Sequence, residues 1–165
     1  MRRLICMFAL FSLIGFTALG AESNFRDDVA DLLKELKNKK ATTRAAAAKE
    51  IGRLGAIHAS DVKDAIPALL NMVKKDLDAA PRKAAIEALG RIDPDPKETV
   101  QVLLGALKDK SPTVREAAAA ALGQFPSESQ DIIPVLREIE KDKNKMVERA
   151  AKMSIRTLRE QKKPD

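Results

Sequence analysis

Apolar residues recur along this chain in four stripes of helical spacing. Val29, Leu32, Leu33 and Leu36 lie at i, i+3, i+4 and i+7. So do Ile66, Leu69, Leu70 and Val73, then Val100, Leu103, Leu104 and Leu107, then Ile132, Val135, Leu136 and Ile139. One apolar face per segment is the pattern of a helix packed on one side. Behind each stripe comes a second helical segment with a recurring text. It reads Arg44-Ala-Ala-Ala-Ala-Lys-Glu-Ile-Gly-Arg-Leu54, then Arg82-Lys-Ala-Ala-Ile-Glu-Ala-Leu-Gly-Arg-Ile92, then Arg115-Glu-Ala-Ala-Ala-Ala-Ala-Leu-Gly-Gln-Phe125. A worn fourth copy is Glu148-Arg-Ala-Ala-Lys-Met-Ser-Ile-Arg-Thr-Leu158. The column Gly52, Gly90, Gly123, Arg156 advances in steps of 38, 33 and 33 residues. A period in this range predicts stacked helix pairs rather than one globular core. The chain therefore predicts eight helices in four pairs, spanning about 25–55, 61–92, 95–125 and 129–160, with no strand.

The boundaries carry helix start and stop chemistry. Asp95-Pro96-Lys97-Glu98 offers a capping residue, Pro at the first helical position and Glu at the third. Ser111-Pro112 predicts another start, Asn144 a cap for the last helix, and Asp27 and Asp28 suit the positive end of the first. Gly55 suits a helix C-terminus. The longer first step places extra residues in Ala56-Ile-His-Ala-Ser-Asp61, which reads as an inserted loop. The alanine runs keep phase with the helical stripe. The three glycines each cost about 1 kcal/mol relative to Ala inside a helix, which predicts close backbone approach between repeats.

These residues resemble HEAT repeats, especially the short HEAT-like repeats of phycobilisome lyase-type proteins. The resemblance covers roughly Phe25 to Arg159. It implies an all-α fold, a right-handed α-α superhelix of four helix pairs. In that family an Asp in the turn between paired helices is followed about six residues later by an Arg. Here Asp76 goes with Arg82 and Asp109 with Arg115, while the first copy has Asn38 with Arg44 and the last Asp142 with Glu148. The resemblance implies that these residues, Arg44, Arg82 and Arg115 among them, form a structural ladder, bonding turn acids within and between repeats. Glu50, Arg156 and Glu148 break the pattern at the ends, as expected of terminal repeats whose outer faces turn polar, so the object reads as complete.

The first twenty residues change the picture. Met-Arg-Arg is followed by an apolar run from Leu4 to Gly20, with small residues Ala18 and Gly20 spaced as a cleavage signal. Residues 1–20 read as a secretory signal peptide cut after Gly20 or Ala21; an uncleaved anchor is the alternative. Removing them takes two of the 30 basic residues, leaving 28 against 24 acidic ones, a net of +4. Cys6, the only cysteine, goes too, and Phe25 and Phe125 are then the only aromatic residues. The remainder is stabilised by aliphatic packing without a disulfide, in one domain of ordinary size ending in a short tail, 163–165.

Candidate chemistry is sparse. His58, beside Ser60, Asp61 and Asp64, reads as an exposed loop histidine, because a triad needs a base oriented by a third group. Asp93 with Asp95, and Asp76 with Asp78, read as turn and capping residues rather than a calcium loop or an acid/base pair. No zinc spacing and no phosphate-cradling loop occurs. No catalytic, metal or cofactor site is therefore expected, and the chain reads as non-enzymatic. Arg53 and Arg91 give way to Gln124 and Thr157, so no continuous basic track forms.

What remains is the exposed side of the second helices, which in such repeats lines the concave face. Phase assigns it Ala48 and Lys49, then Lys83, Ile86 and Glu87, then Glu116, Ala119 and Ala120, then Lys152 and Met153. A small apolar centre with mixed charge around it predicts docking of a partner's helix or extended segment, with Ile86 and Met153 as contacts. The expectation is an exported, periplasmic or secreted scaffold that binds a protein or peptide and is itself a monomer. The alternatives are a lyase-like or enzyme-accessory role, a nucleic-acid backbone binder, which export and the small net charge disfavour, and a membrane-tethered form of the same module.

Overall fold

The computed structural model describes residues 28–92 and 95–161. The predicted signal peptide, Phe25, Asp27, Asp93 and the tail lie outside these residues. Helix α1 occupies 28–35. It is followed by α2 (Ala41–Gly55), α3 (Ile66–Lys75), α4 (Ala79–Ile92), α5 (Pro96–Ala106), α6 (Pro112–Leu122), α7 (Ser129–Ile139) and α8 (Lys145–Gln161). The described residues are thus four antiparallel pairs, α1/α2 to α7/α8, and the sequence-predicted all-α repeat stands as an α-α solenoid. None of the described helices is long and apolar enough to cross a membrane.

Local chemistry explains the boundaries. The Asp95 carboxylate accepts a hydrogen bond from the Lys97 N–H at 3.0 Å, and Pro96 opens α5. Asn144 accepts from the Met146 N–H at 2.9 Å and the Val147 N–H at 3.4 Å, covering two donors that the helix leaves unpaired. Ser111 departs from expectation. Its hydroxyl pairs with that of Thr113 at 2.9 Å, and Pro112 alone supplies the start signal for α6. The inserted stretch also differs from a plain loop. It leads into a 3₁₀ helix, Ala59–Ala65, whose Val62 and Ala65 are fully buried. The insertion therefore adds to the core between α2 and α3.

Consecutive second helices, α2, α4, α6 and α8, lie directly against one another, whereas the first helices touch sparingly. The row packed more closely is the inner row of the curve. Glycine makes the closeness possible. A Cβ on Gly52 would come 2.7 Å from the Ala88 Cα, and one on Gly123 would come 2.8 Å from the Ser154 Oγ. Gly90 is looser, with its absent Cβ 3.2 Å from the Ala121 Cβ. Gly55 ends α2, but its role is room: a Cβ there would lie 2.5 Å from the Ile92 side chain. One aliphatic core runs through all four pairs, with Phe125 its largest fully buried side chain.

Candidate functional site

The ladder residues come together, in a direction that the sequence spacing did not show. Each arginine holds its own turn through backbone carbonyls and the next repeat through a carboxylate. Arg44 donates to Asp76 from Nε at 2.6 Å and Nη2 at 2.7 Å, while its Nη1 donates to the carbonyls of Asn38 and Lys39. Arg82 repeats this with Asp109 at 2.7 and 2.8 Å and the carbonyls of Asp76 and Leu77. Arg115 does so with Asp142 at 2.7 and 2.9 Å and the carbonyls of Asp109 and Lys110. The Asp76–Arg82 and Asp109–Arg115 spacings thus join through main-chain oxygens, and the charged pairs cross between repeats. The end substitutions follow. No arginine among the described residues reaches the Asn38 side chain, which keeps only the bond from the amide two residues on, Lys40 N–H, that Asp76, Asp109 and Asp142 also accept at their own turns. Glu148, at the arginine position of the fourth copy, pairs with Lys145 and Lys152.

The electrostatics match. Burial pushes the Asp76 and Asp109 carboxyls up, but the guanidinium of the preceding repeat and the amides of Asp78 and Ser111 hold both below the ordinary carboxylate range. The Arg115 hydrogen bonds dominate at Asp142, which is also lowered. Hydrogen bonds from Lys145 and Lys152 bring Glu148 down to about 2. Asp76 and Asp78 are therefore occupied by Arg44 and offer no free acid pair. Asp95 caps α5. His58 precedes the 3₁₀ helix, and Ser60 donates to Asp61 rather than entering a triad. No metal-holding cluster of His, Cys, Asp and Glu occurs among the described residues.

The inner face carries a groove of about 550 Å³ between α4 and α6. Lys83, Glu87, Gly90 and Arg91 form one wall, and Glu116, Ala117, Ala120, Ala121 and Gln124 the other, with Ala56 at one end. Lys83 and Glu87 form an ion pair at 3.5 Å. Arg91 and Glu116 have no ion-pair partner among the described residues. Lys83, Glu87, Glu116 and Ala120 from the predicted surface are therefore brought together. Lys49, Lys152 and Met153 are exposed on α2 and α8 but lie outside this groove.

Ile86 and Ala119 correct the prediction. Both are 0% exposed, as is Ala48. They sit four residues after the ladder position, on the side of each second helix that the next second helix covers. The solvent-facing column falls one, five and nine residues after that position. The ninth residue was the one missed as a site residue: Arg91 and Gln124 continue Lys83–Glu87 and Glu116–Ala120 at i+4 spacing. That continuation was visible in the sequence as a helical stripe.

The comparisons bear on fold. No curated protein matches the chain. Among solved structures, an engineered protein superposes with TM-score 0.65 at 24% identity, covering 79% of this chain and 62% of that one. A designed armadillo repeat protein in complex with the peptide (KR)4 matches at TM-score 0.65 and 16% identity, over 79% of this chain and 64% of its own. The complex of CpcE and CpcF of phycocyanin lyase from Nostoc sp. PCC7120 matches at TM-score 0.55 and 16% identity, over 96% of this chain and 71% of that one. The chain spans less than two thirds of the length of the first two, and at these identities the likeness is one of fold. A family model described as HEAT repeats covers residues 66–156, more than half of the chain and the stretch that holds two of the three ladder arginines. The chain belongs to the HEAT-repeat family.

Proposed function

We propose that this chain is an exported, non-enzymatic interaction module that docks a protein or peptide segment along the inner groove between α4 and α6. The observation that carries the reading is the groove itself: a floor of Gly90, Ala117, Ala120 and Ala121 between walls bearing Lys83, Arg91, Glu87 and Glu116. Small side chains admit another backbone closely, and charges of both signs at the rim fix its direction. Ala120→Arg tests it. Position 120 is exposed on α6, and arginine is a good helix former, so melting should hold while the groove fills. Crosslinking capture by the C-terminally tagged chain in its native cells should be lost. Capture that survives Ala120→Arg places the partner elsewhere.

Export rests on the apolar run from Leu4 to Gly20 behind two arginines. Its check is the mass of the chain recovered from its cells. Loss of the first twenty or twenty-one residues supports it, and an intact N-terminus indicates tethering. The likeness to the CpcE–CpcF complex over 96% of the chain supports a second reading, service to an enzyme through the same groove. A captured partner whose turnover changes when the chain is added would favour that reading over simple scaffolding.

A further inference from the structure

In the second and third pairs the positions through which one repeat meets the preceding one are small or apolar, and in the fourth they are Pro134, Glu138 and Ser154. Facing the preceding repeat are Ala68, Met72 and Ala88 in the second pair and Val102, Ala106 and Ala121 in the third. The equivalent positions of the first pair are Asp31, Glu35 and Glu50. They border a groove of about 320 Å³ between α1 and α2, lined by Asp28, Asp31, Glu35, Glu50 and Arg53 over Leu32 and Leu54. Four carboxylates against the Arg53 guanidinium and the Lys34 ammonium that pairs with Asp31 leave that end acidic. Facing the following repeat are Ala48 and Gly52, Ile86 and Gly90, Ala119 and Gly123. The equivalents in α8 are Lys152 and Arg156, both exposed. Arg149 and Arg159, also exposed, extend them along one side of the helix at three- and four-residue spacing. That end is basic.

Helix dipoles account for part of this. Asp28 and Asp31 open α1, and Arg159 lies in the last turn of α8. Glu35 at the end of α1, Glu50 inside α2, and Arg149 and Lys152 in the front half of α8 gain nothing from a dipole. Nor are the charges used up internally. Asp28, Glu35, Arg149 and Arg159 form no ion pair among the described residues. Asp31–Lys34, Glu50–Arg53 and Arg156–Glu160 are exposed pairs of the kind that exchange at little cost, and Lys152, itself exposed, shares Glu148 with Lys145.

We propose that the two ends are complementary docking faces and that the occupant of each is a second copy of this chain, joined head to tail. The stack's own register supports the match. Gly52 meets Ala88 and Gly123 meets Ser154, so continuing the stack sets Arg156 of one copy against Glu50 of the next. Arginine where the interior has glycine keeps the joining helices further apart than those within a chain. The joint is therefore ion-paired and hydrated, and it weakens with salt. A contact between unlike faces propagates, so rows can grow beyond a pair.

Sedimentation velocity on the chain as its cells deliver it tests this. At about 0.05 M salt the mean mass should rise with protein concentration, and at about 1 M, where screening acts within about 3 Å, it should return to one chain. Lys152→Glu with Arg156→Glu makes both ends acidic; Glu35→Lys with Glu50→Lys makes both basic. Each double variant should associate at least tenfold more weakly than the parent, and an equal mixture of the two should recover association. Circular dichroism guards against misfolding, and Arg149→Glu with Arg159→Glu probes the same face if the first pair disturbs helicity. A parent chain that stays monomeric at low salt overturns the proposal. So does association that survives both reversals, as contact with another segment or an apolar face would, and so does a mixture of folded variants that shows no recovery.

Discussion

Arg82 is the most buried arginine of the ladder. Its side chain is only 6% exposed, and it satisfies Asp109 twice and two turn carbonyls at once. Arg82→Ala would leave a shielded carboxylate and two carbonyls without partners, at a cost of about 3–5 kcal/mol in urea unfolding. Arg44 and Arg115 are more exposed, at 14% and 17%, and should cost less. Arg82→Lys should recover little, because an ammonium cannot grip a carboxylate in two places while reaching the turn. The ladder also fixes a pH dependence. Asp76, Asp109, Asp142 and Glu148 are all held below their ordinary range in the folded chain. Groups lowered by folding stabilise above their unfolded values, and that contribution is lost as pH falls. The melting temperature should stay level from neutral pH to about pH 5 and drop below about pH 4. Thr99 shows the opposite situation, a buried hydroxyl with no partner among the described residues. Thr99→Val should be neutral or stabilising by up to about 1 kcal/mol in the same unfolding assay. The ladder residues were legible because Asp and Arg recur at a fixed offset. The burial of Ile86 was not, because helical phase gives an angle around the axis and not the side on which the neighbour lies closest.

Among the helices, the glycines separate cost from use. Gly52→Ala drives a methyl into the Ala88 backbone and should destabilise by about 1–3 kcal/mol. At Gly90 the contact with Ala121 is tight but not blocked, and the gain in helix propensity offsets it, so alanine there should be close to neutral. Gly105 in α5 has nothing within 4 Å of its absent Cβ, and Gly105→Ala should stabilise by about 0.5–1 kcal/mol. Thermal melts of the three variants give the order, and equal effects would discard close packing as the reason for the column. Helix positions were legible from apolar spacing and from caps such as Asp95. The 3₁₀ helix was not, because its buried residues Val62 and Ala65 are too few to announce a period.

At the level of the whole molecule, each pair touches mainly the pairs beside it, so stability is built from neighbour to neighbour. The groove's location on the inner row was legible from the repeat, and Lys83, Glu87, Glu116 and Ala120 with it. Arg91 and Gln124 were not legible from charge, because a column that changes from arginine to glutamine breaks as a basic track while continuing as the next turn of an exposed stripe. Arg82 reaches Asp109 and Arg115 reaches Asp142 across the same 27 residues, whereas Arg44 reaches Asp76 across 32 because the 3₁₀ turn lies between. The arginine is in effect a ruler that accepts any unit of the right length. Excising residues 91–123, one step of 33 from glycine to glycine, would bring Arg82 opposite Asp142 with every bond replaced in kind. Such a shortened chain should still melt cooperatively, while an excision three residues shorter should not. A protein built to that gauge can lose, gain or trade whole units while each arginine still finds a carboxylate at the same reach.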